Sequence, residues 1–286
     1  MDNVISFGKG TKPLVIIPGL SVRDVADSAA MLPGAFRRFT SEWKVYVIDR
    51  PAVIPEGMTN AGLAEEYFKI MTALGITDAD VIGISQGGMI AQYLAARHPS
   101  AVSKLVLGAT LSRCSDTLAT RLDHWLELAE EGEWEEVNRD TYAHLFTKAY
   151  LERYRDAFER LISSVRPRSQ LRFERLIKAC KTGGAYEELD RISCPTFVIG
   201  AGLDEVVGTE GSRVLADKIG CGLYIFENYG HGVYDECPEF YAKAYEFLCN
   251  FPLTGSRSSI SSVAKVSGDL TLLALHSASA TGSNIT

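Results

Sequence analysis

The chain has 286 residues, 46% of them hydrophobic and 23% charged, and a formal net charge of −7, as in soluble globular proteins with a substantial core. The negative charge argues against a nucleic-acid-binding protein, and no apolar run is long enough to span a bilayer. Residues 1–6 lack the features of a secretory signal and the six cysteines form no C-x-x-C pair, so we expect a reduced, cytoplasmic protein without a metal site.

Strands and helices alternate in the first part of the chain. Short apolar runs rich in β-branched residues predict buried strands at residues 14–17, 44–48, 79–84 and 104–108. Apolar residues at helical spacing predict helices at residues 59–74 and 87–97. This alternation is typical of an α/β fold with a mostly parallel central sheet.

The alternation is interrupted by a long insertion. Residues 112–189 contain no strand-like run, and their apolar residues recur at helical spacing. The α/β pattern then returns with two strands and a last helix, at residues 195–200, 222–226 and 238–251. We therefore expect a core of residues 1–111 and 190–252. The insertion at 112–189 is predicted to form a helical cap over the strand ends at which ligands bind in such sheets.

The insertion carries a group of arginines on its predicted helices. They are Arg153, Arg155, Arg160, Arg166, Arg168, Arg172 and Arg175. We expect these side chains on exposed helix faces, and the alternative is that a subset binds an anionic group of a substrate.

The tail at residues 253–286 differs in composition from the rest of the chain. It is rich in glycine, serine and other small residues, with one apolar run at residues 269–275. We interpret it as a low-complexity appendage that is either loosely ordered or an addition from cloning.

The segment Gly83-x-Ser85-x-Gly87 lies between the strand at 79–84 and the helix at 87–97. A serine on a sharp strand-to-helix turn has a strained backbone and an exposed hydroxyl, and small residues two positions away avoid a collision with the turn. The helix that follows directs its N-terminal amides toward an anion that forms on Ser85. The motif is weak alone, but its position between a strand and a helix predicts a nucleophile.

Two later strand ends supply a base and an acid for this serine. Asp204 follows the strand at 195–200, and His231 lies between two glycines after the strand at 222–226. A nucleophilic serine needs a general base, and the base needs a carboxylate that orients it. The sequence therefore predicts a triad of Ser85, Asp204 and His231.

Alternatives to these assignments stay open. Ser85 could be an ordinary turn residue, and Glu205 or Asp235 could be the acid in place of Asp204. The other histidines are interpreted as helix-end, helix-face or tail residues, namely His98, His124, His144 and His276.

Together these motifs resemble those of α/β-hydrolase fold proteins with a helical cap, over approximately residues 4–251. Serine, acid and histidine follow one another along the chain in the order of that family. The resemblance implies that Ser85 is the nucleophile, His231 the general base and acid, and Asp204 the residue that orients His231.

The resemblance also implies an oxyanion hole made by the backbone amides of Leu20 and Gln86. The family often has a histidine where this chain has Pro18, and a glycine that this chain lacks after Pro51. The missing histidine removes no amide from Leu20.

By this resemblance we expect a serine carboxylesterase that acts on small to medium acyl esters through an acyl-enzyme, without a metal or an organic cofactor. A serine nucleophile argues against the haloalkane dehalogenases and epoxide hydrolases of the family, which use an aspartate. The alternatives are a C–C bond hydrolase, a thioesterase or a lactonase, or a non-catalytic ligand receptor. The expected partner is a small-molecule ester rather than a nucleic acid or a membrane, and the expected state is a monomer or a homodimer.

Overall fold

The computed structural model describes residues 3–250, and the predicted tail at 253–286 lies outside the described residues. The strands form one sheet in the order β1-β3-β2-β4-β5-β6-β7. They are β1 (Val4–Phe7), β2 (Lys12–Ile17), β3 (Trp43–Ile48), β4 (Ala79–Ile84), β5 (Val102–Gly108), β6 (Thr196–Ala201) and β7 (Gly222–Phe226). β1 pairs antiparallel with β3, and the other neighbouring strands are parallel. The predicted α/β fold with a mostly parallel sheet is confirmed.

Helices connect the parallel strands and lie on both faces of the sheet. They are α1 (Leu32–Ala35), α2 (Asn60–Ala73), α3 (Gln86–Arg97), α4 (Asp116–Glu131), α5 (Trp134–Leu145), α6 (Lys148–Arg153), α7 (Arg155–Ser164), α8 (Gln170–Cys180), α9 (Thr209–Ile219), α10 (Val233–Glu236) and α11 (Glu239–Asn250). The helices α4 to α8 lie between β5 and β6 in the chain. Within residues 3–250, no helix combines the length and the apolar character needed to cross a bilayer.

The sheet is the centre of the hydrophobic core. Every residue of β4, β5 and β6 is buried, which explains why these strands are nearly continuous apolar runs. One face packs against α2 and α3 through residues such as Leu63 and Leu94, and the other packs against α11 through Phe240 and Leu248. The carboxyl ends of the parallel strands therefore share one edge, and Ser85 follows β4 at that edge.

The sequence did not predict β1, α1, α9 or α10. The helices α1 and α10 are only four residues long. β1 is a four-residue edge strand with partly exposed side chains, so its periodicity is too short to recognise. α9 buries only one stripe of small and apolar side chains, including Ser212, Leu215 and Ala216. It ends at Gly220, whose φ of 72° is the left-handed conformation that favours glycine at a helix end.

The turn between β4 and α3 depends on glycine. A Cβ atom on Gly87 would lie 2.0 Å from the carbonyl oxygen of Ile17, and one on Gly83 would lie 2.6 Å from the carbonyl oxygen of Gly87. Both contacts involve backbone atoms that cannot rotate away. The first turn of α3 therefore packs directly on the end of β2.

We predict that Gly87→Ala lowers the free energy of unfolding by at least about 1–3 kcal/mol, because the added methyl group overpacks the junction of β2 and α3. The matched control is Gly34→Ala in α1, where an added Cβ meets no atom within 4 Å. The control should keep or slightly exceed the wild-type stability, by up to about 1 kcal/mol. Urea unfolding checks both variants, and equal stability for the two would contradict the packing argument.

Candidate active site

Ser85 lies on a strained turn at the carboxyl end of β4. Its φ of 53° and ψ of −122° are unusual for a residue other than glycine. The Ser85 amide donates to the Gly108 carbonyl at 2.9 Å, and the Thr110 hydroxyl donates to the Ser85 carbonyl at 2.7 Å. These two bonds to the end of β5 hold the backbone in its strained conformation and keep the hydroxyl above the sheet.

The structure brings the three residues of the predicted triad together. His231 Nε2 lies 3.0 Å from Ser85 Oγ, and His231 Nδ1 lies 2.9 Å from Asp204 Oδ2. A carboxylate can only accept a hydrogen bond, so the neutral imidazole carries its proton on Nδ1. The lone pair of Nε2 then faces the serine hydroxyl. His231 is 2% exposed and Asp204 is 9% exposed, so both are shielded from water.

Asp204 is held in its ionised form. Its Oδ1 accepts hydrogen bonds from the amides of Val206 and Val207, each at 2.9 Å. Burial raises the pKa of Asp204, but the imidazole of His231 and the hydrogen bonds to the carboxylate outweigh burial and leave the pKa below its ordinary value of 3.8. The alternative acids Glu205 and Asp235 make no hydrogen bond to His231 within the described chain, and Glu205 is exposed.

The loop that carries His231 packs against the helical insertion. The Gly232 amide donates to the carbonyl of Leu145, at the end of α5, at 2.6 Å. A Cβ atom on Gly232 would lie 2.5 Å from the ring of Phe146, and one on Gly230 would lie 2.7 Å from the Leu145 carbonyl. The glycines on both sides of the histidine therefore permit close contact between this loop and α5.

The loop that carries Leu20 runs beside the serine. A Cβ atom on Gly19 would lie 3.1 Å from Ser85 Cβ, so the backbone of this loop is in contact with the turn. Gln86 is the first residue of α3, at the positive end of the helix dipole. Neither the Leu20 amide nor the Gln86 amide donates to another of residues 3–250. Both amides are therefore available to an anion at Ser85.

Arg50 supports this loop from behind, a role that the sequence did not predict. Its side chain is 1% exposed, and Nη1 donates to the carbonyls of Gly19 at 2.8 Å and Pro18 at 3.3 Å. Fixing these carbonyls fixes the peptide that leads to Leu20. The only sequence signal for this role is a pair of charged residues, Asp49 and Arg50, between the strand and Pro51.

Arg172 corrects the prediction that the arginines of the insertion lie on exposed helix faces. Its side chain is 10% exposed, and from α8 it donates to the carbonyls of Arg50 and Pro51 and to the carboxylates of Asp24 and Asp49. Burial raises the pKa of Asp49, but the guanidiniums of Arg50 and Arg172 and two backbone amides outweigh burial and lower it overall. This buried cluster joins the insertion to the loop beside Ser85.

A cavity of about 230 Å³ opens next to the turn. Gly19, Leu20 and Ile84 line it on the side of Ser85, and Tyr142 and Leu145 of α5 line it on the side of the insertion. Among residues 3–250, no group of three or more His, Cys, Asp or Glu side chains is placed to hold a metal ion.

Comparison with known proteins places this chain in a family. The family model described as alpha/beta hydrolase fold matches residues 12–238. The chain is 26% identical over 187 residues to monoacylglycerol lipase abhd6-A from Xenopus laevis, a match that covers 61% of this chain and 56% of the lipase. It is 27% identical over 222 residues to a pimeloyl-[acyl-carrier protein] methyl ester esterase from Neisseria meningitidis, covering 73% of this chain and 84% of the esterase. It is 29% identical over 195 residues to 2-hydroxymuconate semialdehyde hydrolase from Pseudomonas putida, covering 66% and 68%.

Solved structures share the fold. An enol-lactonase from Burkholderia xenovorans superimposes with a TM-score of 0.74 at 20% identity, covering 86% of this chain and 95% of the lactonase. An esterase from Exiguobacterium antarcticum superimposes with a TM-score of 0.69 at 21% identity, covering 86% and 92%. At these identities the likeness concerns the fold and not the substrate.

We predict that Asp204 makes the stability depend on pH in the acid range. The unfolded chain binds a proton at this carboxylate more readily than the folded chain, because the folded pKa is lower than 3.8. The contribution of Asp204 to the free energy of unfolding is therefore present above pH 3.8. It is lost as the pH falls through the pKa of Asp204 in the folded protein. Asp204→Asn should reduce the slope of unfolding free energy against pH below about pH 4.

Urea unfolding at a series of pH values measures this slope. Asp217→Asn, a substitution of an exposed aspartate on α9, is the matched control and should keep the wild-type slope. A wild-type slope in Asp204→Asn would show that the carboxylate has no stabilising partners in the folded protein.

Proposed function

The chain belongs to the α/β-hydrolase fold family, and we propose that it is a serine hydrolase that cleaves carboxylic esters through an acyl-enzyme on Ser85. The observation that carries this proposal is the continuous series of hydrogen bonds from Ser85 through His231 to Asp204. Two relatives are named for ester cleavage, one a monoacylglycerol lipase and the other a methyl ester esterase. These names support the reaction class, and the size of the cavity limits the substrate.

The first half of the reaction forms the acyl-enzyme. His231 Nε2 accepts the proton of Ser85 Oγ as the oxygen attacks the ester carbonyl carbon, and Asp204 stabilises the imidazolium. The amides of Leu20 and Gln86 donate to the oxygen that becomes negatively charged in the tetrahedral intermediate. The carbon–oxygen bond to the alcohol then breaks, and the alcohol leaves with the proton from His231.

The second half releases the acid. A water molecule takes the place of the alcohol and gives a proton to His231 while its oxygen attacks the acyl carbon. The second tetrahedral intermediate breaks its bond to Ser85 Oγ, which recovers the proton from His231. The same amides hold the oxyanion, so the loop at Leu20 serves both halves.

The helices α4 to α8 are proposed to act as the cap that selects the substrate. Side chains from this insertion and from the loop at Leu20 line the same cavity, and Ile84, the residue before Ser85, is part of its wall. The cavity volume of about 230 Å³ is smaller than the roughly 300–1,000 Å³ of pockets that hold drug-sized ligands. This volume favours esters with a small to medium acyl chain.

A second candidate is hydrolysis of a carbon–carbon bond. The observation that favours it is the 29% identity to 2-hydroxymuconate semialdehyde hydrolase, which is the highest of the three identities given above. Turnover of a vinylogous 1,5-diketone by a protein that leaves every ester intact would favour this candidate over the esterase.

We predict that Ser85→Ala lowers kcat on p-nitrophenyl butyrate by at least about 10³-fold, because it removes the hydroxyl group that contacts His231 Nε2. The matched control is Ser41→Ala, an exposed serine before β3 at the opposite edge of the sheet, which should keep wild-type activity. A fluorophosphonate probe should label the wild type and the control and not Ser85→Ala. Ester hydrolysis that persists in Ser85→Ala would refute the assigned nucleophile.

We predict that Arg50→Lys lowers kcat about tenfold with little change in KM. A lysine keeps the charge beside Asp49 but cannot reproduce the geometry by which the guanidinium holds Pro18 and Gly19. The expected loss is smaller than the ~10²–10³-fold loss that follows removal of a whole oxyanion donor. Arg37→Lys, at an exposed arginine before β3, is the control. Unchanged kcat in Arg50→Lys would show that the loop keeps its conformation without this contact.

A further inference from the structure

The cavity beside Ser85 contains a carboxyl group that the proposed reaction does not use. Asp235, in the short helix α10, lines the cavity together with apolar residues such as Leu32, Phe36 and Val165. Its side chain makes no hydrogen bond or ion pair with any of residues 3–250, whereas the next residue, Glu236, accepts from the amide and hydroxyl of Thr147. Asp235 is thus a polar group without a protein partner in a mostly apolar cavity.

The Asp235 carboxyl group is partly exposed in the cavity, so water or a ligand can reach its oxygens. Its apolar surroundings raise the pKa of Asp235 to about 7. No donor among residues 3–250 occupies these oxygens, which can therefore accept a hydrogen bond from a ligand.

Two phenol groups lie close to Asp235. Tyr234 and Tyr241 line the same cavity, and their hydroxyl groups make no hydrogen bond within the described residues. Burial, and after it the charge of Asp235, raise the pKa of both Tyr234 and Tyr241. The end of the cavity at α10 thus has several polar groups that no protein atom satisfies.

We propose that this end of the cavity is a binding subsite for a hydroxyl group on the substrate. The inference rests on the proposed function, since it assumes that one arm of an ester enters from Ser85. The arm would run past Gly19, Leu20 and Ile84 and donate its terminal hydroxyl to Asp235. An arm that ends in a carboxylate is disfavoured by the charge of Asp235, and one that ends in an ammonium would lose its hydration in an apolar cavity.

The cavity size sets the length of the probe. An acyl arm of five carbons and a terminal hydroxyl has six heavy atoms beyond the carbonyl group, a small to medium chain for a cavity of about 230 Å³. Methyl 6-hydroxyhexanoate is therefore the test ligand, and methyl hexanoate is its partner without the hydroxyl.

Binding is measured by calorimetry in a Ser85→Ala background, in which the proposed reaction does not consume the ligand. We expect the hydroxylated ester to bind about ten- to a hundredfold more tightly than methyl hexanoate, the range for a hydrogen bond to a charged group. Adding Asp235→Leu should abolish this preference, and Asp235→Asn should weaken it. Adding Asp217→Leu on the exposed face of α9 is the matched control and should retain it. Because the carboxyl has no protein partner, Asp235→Leu should fold at least as stably as the background protein.

Equal affinity for the two esters, or a preference that survives Asp235→Leu, would overturn the inference. Turnover of p-nitrophenyl acetate by the protein with Ser85 intact separates this result from failure of the proposed function, because the acetyl group is too short to reach α10. Loss of the hydroxyl preference with rapid acetate turnover refutes the subsite and leaves the esterase. A hydroxyl preference without any ester turnover retains the subsite and refutes the esterase.

Discussion

The conformation of Ser85 is the constraint on which the rest of the site depends. A residue other than glycine with a φ of 53° costs free energy, which the surrounding structure has to supply. The bonds from Ser85 to Gly108 and Thr110 fix the turn to β5, and the contact of Gly87 with Ile17 fixes it to β2. Three neighbouring parallel strands therefore hold one side chain. Since β4 and β5 are buried along their length and β2 is buried from Leu14 to Ile17, the strain is distributed over a rigid part of the core.

The buried charges around Asp49 serve position more than stability. Removing guanidinium and carboxylate groups from water costs several kcal/mol for each ion, and their attraction does not reliably exceed that cost. What the cluster provides is geometry, because the planar fork of an arginine can hold two carbonyl oxygens at once. Arg50 holds the loop beside the serine, and Arg172 holds the backbone of Arg50 and Pro51 from α8. The insertion and the loop at Leu20 are thereby joined through hydrogen bonds that have defined directions.

The sequence predicted the parts of the molecule that have a local signal. Buried parallel strands appear in the sequence as apolar runs, and this pattern predicts the fold. The glycines at positions 83 and 87 indicate a tight turn, which predicts the position of Ser85. Arg50 and Arg172 had no such signal, because their roles depend on partners far away in the chain. Arg172 looked like one more charged residue on a helix face, since helical spacing does not show that a loop covers that face. The edge strand β1 was not predicted for a similar reason, because it is defined by its pairing with β3, a contact between distant parts of the chain.

Two aspartates close to His231 show how the surroundings assign different tasks to the same side chain. Asp204 receives hydrogen bonds from His231 and two amides, and these lower its pKa below the ordinary value although burial opposes them. Asp235 lies four residues beyond His231 and has no such donors, so burial raises its pKa to about 7. A group that stabilises an imidazolium has to stay ionised. A group that recognises a ligand needs an acceptor or donor atom that the protein leaves without a hydrogen bond. The pKa values of the two aspartates are thus shifted in opposite directions, which supports separate roles. Asp204 orients the proposed base, and Asp235 faces the proposed substrate.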